Sequence, residues 1–490
     1  MTVTTLTGAS SAPIDWEGLD WTKASEQVKR LQMRIAKATR EGRYGKVKAL
    51  QRLLTCSFYS KAMAVKRVTD NKGSKTPGVD GVVWNTSKKK TEAVSTLRRH
   101  GYKPQPLRRI YIPKKNGKLR PLSIPTMKCR AMQALHLLAL EPVSETLADE
   151  NSYGFRPLRS TADAIQQCFV LLSQRTSAQW VLEGDIKSCF DKINHAWLEN
   201  NVPMDKTILH SWLKAGYVED GSFFTTKEGT PQGGIISPTL LVMTLRGLEK
   251  RIKEIYSSSN RVRIVIYADD FVVTGATKEV LENEVKPIIK KFLKERGLEL
   301  SEEKTRITHI NDGFDFLGFN LRKYNNKLLI KPSKQSVKTF LNNIRGVIKA
   351  RKSVEAKVLI RILNPKIRGW ANYYKSVVAK DTFSYVDHCT FQVIWSWAKR
   401  RHRNKTRSWI KKKYFRNRNL RQWVFSVRTK SKKKNDLEYL DLFHAASVPI
   451  KRHVKIRAAA QPYDPAYQDY FVKRAQKKVA GPSKIGLTGA

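Results

Sequence analysis

Residues 261–275, RVRIVIYADDFVVTG, hold two β-rich runs around the adjacent aspartates Asp269 and Asp270. Val262, Ile264, Ile266 and Ala268 alternate with Arg261, Arg263, Val265 and Tyr267, the period-two pattern of a strand. Phe271, Val272 and Val273 open a second strand that runs to Gly275. Two carboxylates at the tip of an apolar hairpin repel each other and lose hydration, which is costly unless a divalent cation neutralises them. Aspartate is also a common turn residue, so the stretch alone leaves a surface turn and a metal site both open.

The chain around it is 490 residues long, with 93 Lys and Arg against 42 Asp and Glu, a net charge of +51. That length suits roughly two to four domains. The surplus is uneven: residues 331–490 carry 39 basic and 8 acidic side chains, or +31, and residues 1–330 carry +20. Charge of this size on one chain points to a polyanion, above all nucleic acid, with an anionic membrane surface as the weaker alternative. No apolar run of 18 residues is present to span a bilayer. The N-terminal MTVTTLTGASSAPIDW lacks the regions of a signal peptide and the arginines of a transit peptide. Five cysteines, Cys56, Cys129, Cys168, Cys189 and Cys389, show no CxxC spacing. They read as buried or free thiols of a reducing, cytoplasmic compartment, without a zinc site.

Residues 16–70 read as helical, with Val28, Leu31, Ile35 and Ala38 at helical spacing in a first helix and 47–70 as a second. NKGSKTPGVDG (71–81) is a Gly/Pro-rich loop. From about 84 to 325 strands and helices alternate. RIYIPKKNGKLRPLSIP reads as a hairpin turning at Asn116-Gly117. AQWVLEGDI reads as a buried strand, and TLLVMTLRGLEKRIKEIY as a helix with Ser237 as N-cap and Pro238 in its first turn. Beyond 330 the texture is helical, basic and Trp-rich, and VAGPSKIGLTGA reads as a disordered tail.

Asp185 ends the strand AQWVLEGD, 84 positions ahead of Asp269. Acids at the ends of neighbouring strands can share one metal site, as two-metal phosphoryl transfer requires, although a lone strand-terminal Asp is ordinary. Phe190 suits a wall beside a sugar C2′ that would reject a 2′-hydroxyl, or simply a core position. Lys118 and Arg120, on the second arm of the Asn-Gly hairpin, suit triphosphate oxygens. In TPQGG (230–234) the glycines permit close backbone approach and Gln232 can hydrogen-bond a nucleotide. Solvated lysines and a plain loop would explain these equally.

Together the blocks resemble one family. TPGVDG (76–81), KLRPLSIPT (118–126), YGFRP (153–157), LEGDIKSCFDKINH (182–195), GTPQGGIISP (229–238), YADD (267–270), LSEEKT (300–305) and FDFLGF (314–319) are similar, in order, to the reverse transcriptase/maturases of mobile group II introns. The resemblance implies an α/β (α+β) right-hand polymerase with fingers and palm, a helical thumb and a basic helical C-terminal region. It divides the chain into an N-terminal helical extension (1–85), fingers and palm (86–325), a thumb/maturase region (326–440), a DNA-binding region (441–480) and a tail (481–490). It further implies a carboxylate site of Asp185, Asp269 and Asp270, with the Ile186 carbonyl as an added ligand. Two Mg²⁺ ions would occupy it, with Mn²⁺ able to substitute. Lys118, Arg120 and Gln232 would contact the dNTP, Phe190 would gate the sugar, Lys304 would protonate pyrophosphate, and FDFLGF would position the primer.

Between His388 and Asn435 no acidic residue interrupts 17 Lys and Arg, and Trp395, Trp397, Trp409, Tyr414, Phe415, Trp423 and Phe425 are interleaved with them. A solvated face normally mixes signs; this run has one. Its tryptophans read as thumb core before base-stacking groups. NPKIRGWANYYK (364–375) and WSWAKRRHRNKTRSWIKKKYF (395–415) resemble the maturase region, which implies intron RNA contacts from Arg400, Arg401, Arg403, Lys405, Arg407, Lys411, Lys412 and Lys413. Residues 450–474 resemble the start of the DNA-binding region. With no cysteine after Cys389, an HNH endonuclease with paired cysteines is expected to be absent, and the primer would come from elsewhere, such as a replication fork.

The implied function is an RNA-directed DNA polymerase that also helps its intron splice and move by target-primed reverse transcription. Its partners would be intron RNA, target DNA and dNTPs, within a cytoplasmic, nucleoid-associated bacterial ribonucleoprotein, and no membrane; the oligomeric state is left open. The alternatives are a maturase with little polymerase activity, a retron or defence-associated reverse transcriptase, and an RNA-copying RNA polymerase. The intact carboxylates argue against the first, GWANYYK and RHRNKTRSW against the second, and Phe190 against the third.

Overall fold

The computed structural model describes residues 16–113, 117, 119–256, 261–418, 421–430 and 437–479. Asn116, Lys118 and the expected tail lie outside them. The chain opens with helices α1 (Trp21–Arg40), α2 (Tyr44–Cys56), α3 (Phe58–Thr69) and α4 (Ser87–Thr96). Asp20 caps α1 by accepting from the Lys23 amide at 2.9 Å, and Val28, Ile35 and Ala38 are buried as their spacing predicts. Next come β1 (Leu107–Pro113) and β2 (Leu119–Ile124), the expected antiparallel hairpin, and the long buried α5 (Met127–Leu147). The stretch 47–70, read as one helix, is two. Ser57 takes an extended backbone (ψ 133°), and the break lets Leu50 and Leu54 pack with Ala139 and Val143 of α5 while Val65 and Val68 join the central core.

Helix α6 (Thr161–Leu172) precedes β3 (Trp180–Lys187), the short α7 (Cys189–Lys192), α8 (His195–Asn201) and α9 (Lys206–Leu213). Strands β4 (Tyr217–Glu219) and β5 (Ser222–Phe224) extend the β1–β2 hairpin into a sheet of order β2-β1-β4-β5. The helix expected over 239–256 is broken into α10 (Ser237–Leu245) and α11 (Leu248–Ile255). Gly247 sits between them at φ 89°, and the Asp149 carboxylate accepts from the Gly247 and Glu249 amides at 3.0 and 3.1 Å. Ser237 is the first helical residue and Ile236 takes the N-cap, while Pro238 lies in the first turn as read.

Strands β6 (Arg263–Tyr267) and β7 (Asp270–Gly275) form the predicted hairpin and join β3 in the central sheet. After a π-helical turn (280–285) and α12 (Lys286–Lys294), β8 (Glu299–Leu300) and β9 (Arg306–His309) both pair with β3. The sheet is buried on both faces. Leu182, Ile186, Ile264, Ile266, Phe271 and Val273 enter one core; Val181, Val265 and Val272 enter a second. The period-two alternation therefore separates two cores rather than a core from solvent.

A meander of β10 (Phe314–Phe316), β11 (Phe319–Tyr324) and β12 (Lys327–Pro332) leads into helices α13 (Lys334–Lys349), α14 (Ala356–Tyr374), α15 (Lys380–Arg401) and α16 (Arg407–Tyr414). FDFLGF is a hairpin turning at Leu317-Gly318, whose carbonyls accept from the hydroxyls of Tyr373 and Tyr374 at 2.9 and 3.0 Å. Helical texture ends at Tyr414, and β13 (Phe415–Arg418), β14 (Arg421–Lys430) and β15 (Leu437–Asp441) form an antiparallel sheet. Phe415 pairs with Phe425 there, and Trp397 and Tyr414 pack on Phe425, so aromatic burial gives the basic run a core. The described residues end with an irregular segment and α17 (Gln468–Val479). Among the described residues no helix is long and apolar enough to cross a membrane.

Candidate polymerase site

The hairpin and β3 place the carboxylates. In the β3–β7 ladder Asp185 stands directly opposite Asp270, and in the β6–β7 ladder Asp270 faces Tyr267. Ala268 and Asp269 form the two-residue turn, with Ala268 at φ 58°, a left-handed conformation that a non-glycine residue holds only when its surroundings enforce it. The enforcing neighbour is the loop 151–156. Tyr153 N–H donates to Ile266 O (2.8 Å), Ile266 N–H to Asn151 O (2.9 Å), and a Cβ on Gly154 would stand 2.2 Å from the Ala268 nitrogen. The Ile186 amide donates to the Asp269 carbonyl at 3.3 Å, tying the turn to β3.

Crowding shows in the electrostatics. The carboxyl of Asp270 is pushed up to about 7, first by the surrounding protein and then by the charges of Asp269 and Asp185; Lys304 opposes the shift. Asp270 is nonetheless exposed, so the repulsion is the part a bound cation would relieve. Asp269 is raised as well, by burial and by Asp185, against the pull of Arg120 and Lys304. Lys304, on the turn between β8 and β9, donates to Asp185 Oδ2 at 2.7 Å. That ammonium partly neutralises the acids. Among the described residues no three His, Cys, Asp or Glu side chains already converge on one ion position. The donors are nonetheless all oxygen, and their mutual repulsion fits a hard divalent cation.

The remaining predicted residues gather unevenly. Arg120 is exposed on β2, close enough to act on Asp269. Gln232 Nε2 donates to Asp191 Oδ2 at 3.1 Å, its carbonyl accepts from Ser123 N–H at 2.7 Å, and Thr230 N–H donates to Phe190 O at 2.6 Å. The loop 229–234 thus joins β2 to α7, which follows β3. Phe190 is half-buried against the central core, and its ring meets Phe155 edge-on, with centroids 6.1 Å apart. Phe155, in the YGFRP block, has no role predictable from sequence beyond being an aromatic next to a glycine; its exposure and its contact with Phe190 are visible only in the fold.

The basic face lies apart. Arg400, Arg401, Arg403, Lys405, Arg407, Lys411, Lys412 and Lys413 are all exposed, at the end of α15, in the turn that follows it and on α16. Lys405 and Lys413 lie over the Trp409 ring and Lys411 over Trp423, at 5.6, 4.6 and 4.5 Å, while Trp397 is buried. The segment 450–474 spends many polar groups on its own chain. Asp163 on α6 accepts from the Ile456 amide and Arg474 at 2.8 and 2.9 Å and pairs with His453 Nε2 at 2.8 Å. Arg40 holds Asp464, and Tyr463 donates to Glu141.

Comparison with known proteins agrees with this architecture. A profile described as "Reverse transcriptase (RNA-dependent DNA polymerase)" matches residues 112–321, "N-terminal domain of reverse transcriptase" 16–97, and "Group II intron, maturase-specific domain" 337–415. Protein YkfC of Escherichia coli is 35% identical over 321 residues, covering 56% of this chain and 83% of that protein. Group II intron-encoded protein LtrA of Lactococcus lactis is 29% identical over 409 residues, covering 64% and 68%. A telomerase structure from Candida albicans, with telomeric RNA, aligns at a TM-score of 0.38 and 13% identity over 63% of each chain, too slight a likeness to carry an argument. The chain belongs to the group II intron-encoded reverse transcriptase/maturases, RNA-directed DNA polymerases with a maturase domain.

Proposed function

We propose that Asp185, Asp269 and Asp270, with the Ile186 carbonyl, hold two Mg²⁺ ions, which Mn²⁺ can replace, for addition of dNTPs to a primer 3′-hydroxyl. The observation that carries this is the register of β3 on β7, which sets Asp185 opposite Asp270 beside the Asp269 turn. When bound, the ions supply charge for an activated hydroxyl and for departing pyrophosphate. The chain's own residues do the rest. Arg120 and Lys118 take triphosphate oxygens, Gln232 orients the nucleotide, and Phe190 walls the sugar so that a 2′-hydroxyl has no room. Lys304 gives its proton to the leaving phosphate, a role supported by its hydrogen bond to Asp185 beside the acids. The hairpin 314–319, gripped by Tyr373 and Tyr374, seats the primer end.

The exposed cations from Arg400 to Lys413 bind intron RNA and support its splicing. The same protein then copies that RNA at a DNA target in a nucleoid-associated ribonucleoprotein. Purified protein with Mg²⁺ is expected to extend a DNA primer on an RNA template, and Asp269→Ala to abolish extension while intron RNA binding persists. Undiminished extension by Asp269→Ala overturns the carboxylate assignment.

A further inference from the structure

We propose that Phe155 is a specificity-determining positioning residue, whose ring braces Phe190 and thereby sets how strictly the site rejects ribonucleotides. The inference rests on Phe190 as the sugar wall.

Three observations converge on Phe155. Its backbone is left-handed (φ 58°), a conformation costly for a bulky residue. The residue is 48% exposed although its side chain is fully apolar. The residues beside it are locked: Tyr153 is buried, Gly154 lies against the Ala268 turn, and buried Arg156 donates to Glu145 Oε1, Asp149 O and Ser152 O at 2.8, 2.7 and 2.8 Å. The fold therefore anchors both sides of Phe155 and leaves it half exposed beside Phe190. Strain of this kind persists where surrounding structure over-determines it, and points to function.

What the ring touches gives that function. Phe190 packs on one side against the central core, and its carbonyl is held by the Thr230 amide. Phe155 meets the Phe190 ring edge-on at 68° and 6.1 Å, a favourable aromatic geometry. A half-buried phenylalanine without that contact is freer to tilt. A wall that tells hydrogen from hydroxyl at one carbon tolerates little tilt, because discrimination depends on the analogue having no space. Bracing thus acts on rejection of the 2′-hydroxyl more than on use of the correct substrate.

The test measures kcat/KM for dNTP and rNTP incorporation on an RNA template, with melting temperature as a check on folding. Phe155→Ala is expected to lower the dNTP-to-rNTP ratio by roughly tenfold, mainly through faster ribonucleotide use. Phe155→Tyr, which keeps the ring, should restore most of the ratio, and Phe155→Leu serves if the alanine variant does not fold. Phe155→Ala combined with Phe190→Ala should be no less selective than Phe190→Ala alone, since both act through one ring. Leu158→Ala is the matched control, because Leu158, three residues on, is also left-handed (φ 61°) and 54% exposed. An unchanged ratio in Phe155→Ala, effects that multiply in the double variant, or an equal loss in Leu158→Ala overturns the brace and leaves the wall standing. An unchanged ratio in Phe190→Ala overturns the wall itself.

Discussion

Replacing Asp163 tests how the C-terminal segment is held to the rest of the molecule. Asp163 is fully buried at the start of α6 and accepts from the Ile456 amide, Arg474 and the Ser160 hydroxyl while paired with His453. Burial raises a carboxyl, yet His453, Ser160 and the Ile456 amide outweigh it and hold Asp163 down from 3.8 to about 2. A carboxyl depressed on folding stabilises the folded state fully above its unfolded value and loses that contribution as pH falls through the folded one. At about 1.4 kcal/mol per pH unit, the contribution is about 2 kcal/mol at neutral pH and fades between about pH 4 and pH 2. Because the chain holds several cores, the quantity to measure is local opening, read by hydrogen exchange at amides 453–460. Asp163→Asn should speed exchange there roughly thirtyfold at pH 7, with little change in the β6–β7 hairpin. The difference between variant and wild type should shrink as pH falls from about 4 to about 2, where wild-type Asp163 also becomes neutral. Equal protection of the Ile456 amide in both proteins at pH 7, or a difference that persists unchanged to pH 2, would refute the reasoning.

Gly154→Ala puts a Cβ 2.2 Å from the Ala268 nitrogen, where only backbone could yield, so primer extension should fall by roughly tenfold or more while α5 and the thumb stay folded by circular dichroism. Lys304→Ala removes the ammonium 2.7 Å from Asp185; since that lysine is largely exposed, cation affinity followed by Tb³⁺ luminescence should tighten only by roughly two- to fivefold. A weaker or unchanged affinity would show that Lys304 does not compete for the acids. Changing Lys411, Lys412 and Lys413 to Gln should weaken RNA binding and flatten its log–log salt slope by roughly 0.7–0.9 per lost phosphate contact, and an identical slope would mean they are merely solvated.

What could be read without coordinates was local. The YADD hairpin was legible because Val, Ile and Phe at period two determine a strand wherever they stand, and β6 and β7 formed as read. The same holds for α1 and the β1–β2 hairpin. The breaks were not legible, because their causes are distant or collective. The split at Gly247 is capped by Asp149, 98 residues earlier in the chain, and the strands after Tyr414 depend on aromatic packing with Trp397.

The sequence by itself determined the chemistry available: paired acids in a β-turn, an ordered set of polymerase blocks, and a basic charge too large and too one-signed for a neutral partner. Tertiary structure alone decided which groups meet. Strand register brought Asp185 opposite Asp270, a turn between two short strands delivered Lys304 to Asp185, and the loop 151–156 turned Phe155 toward Phe190. Hydrophobic periodicity constrains residues two to four positions apart, whereas these encounters span 35 to 119 positions and follow from how two cores close on either face of one sheet.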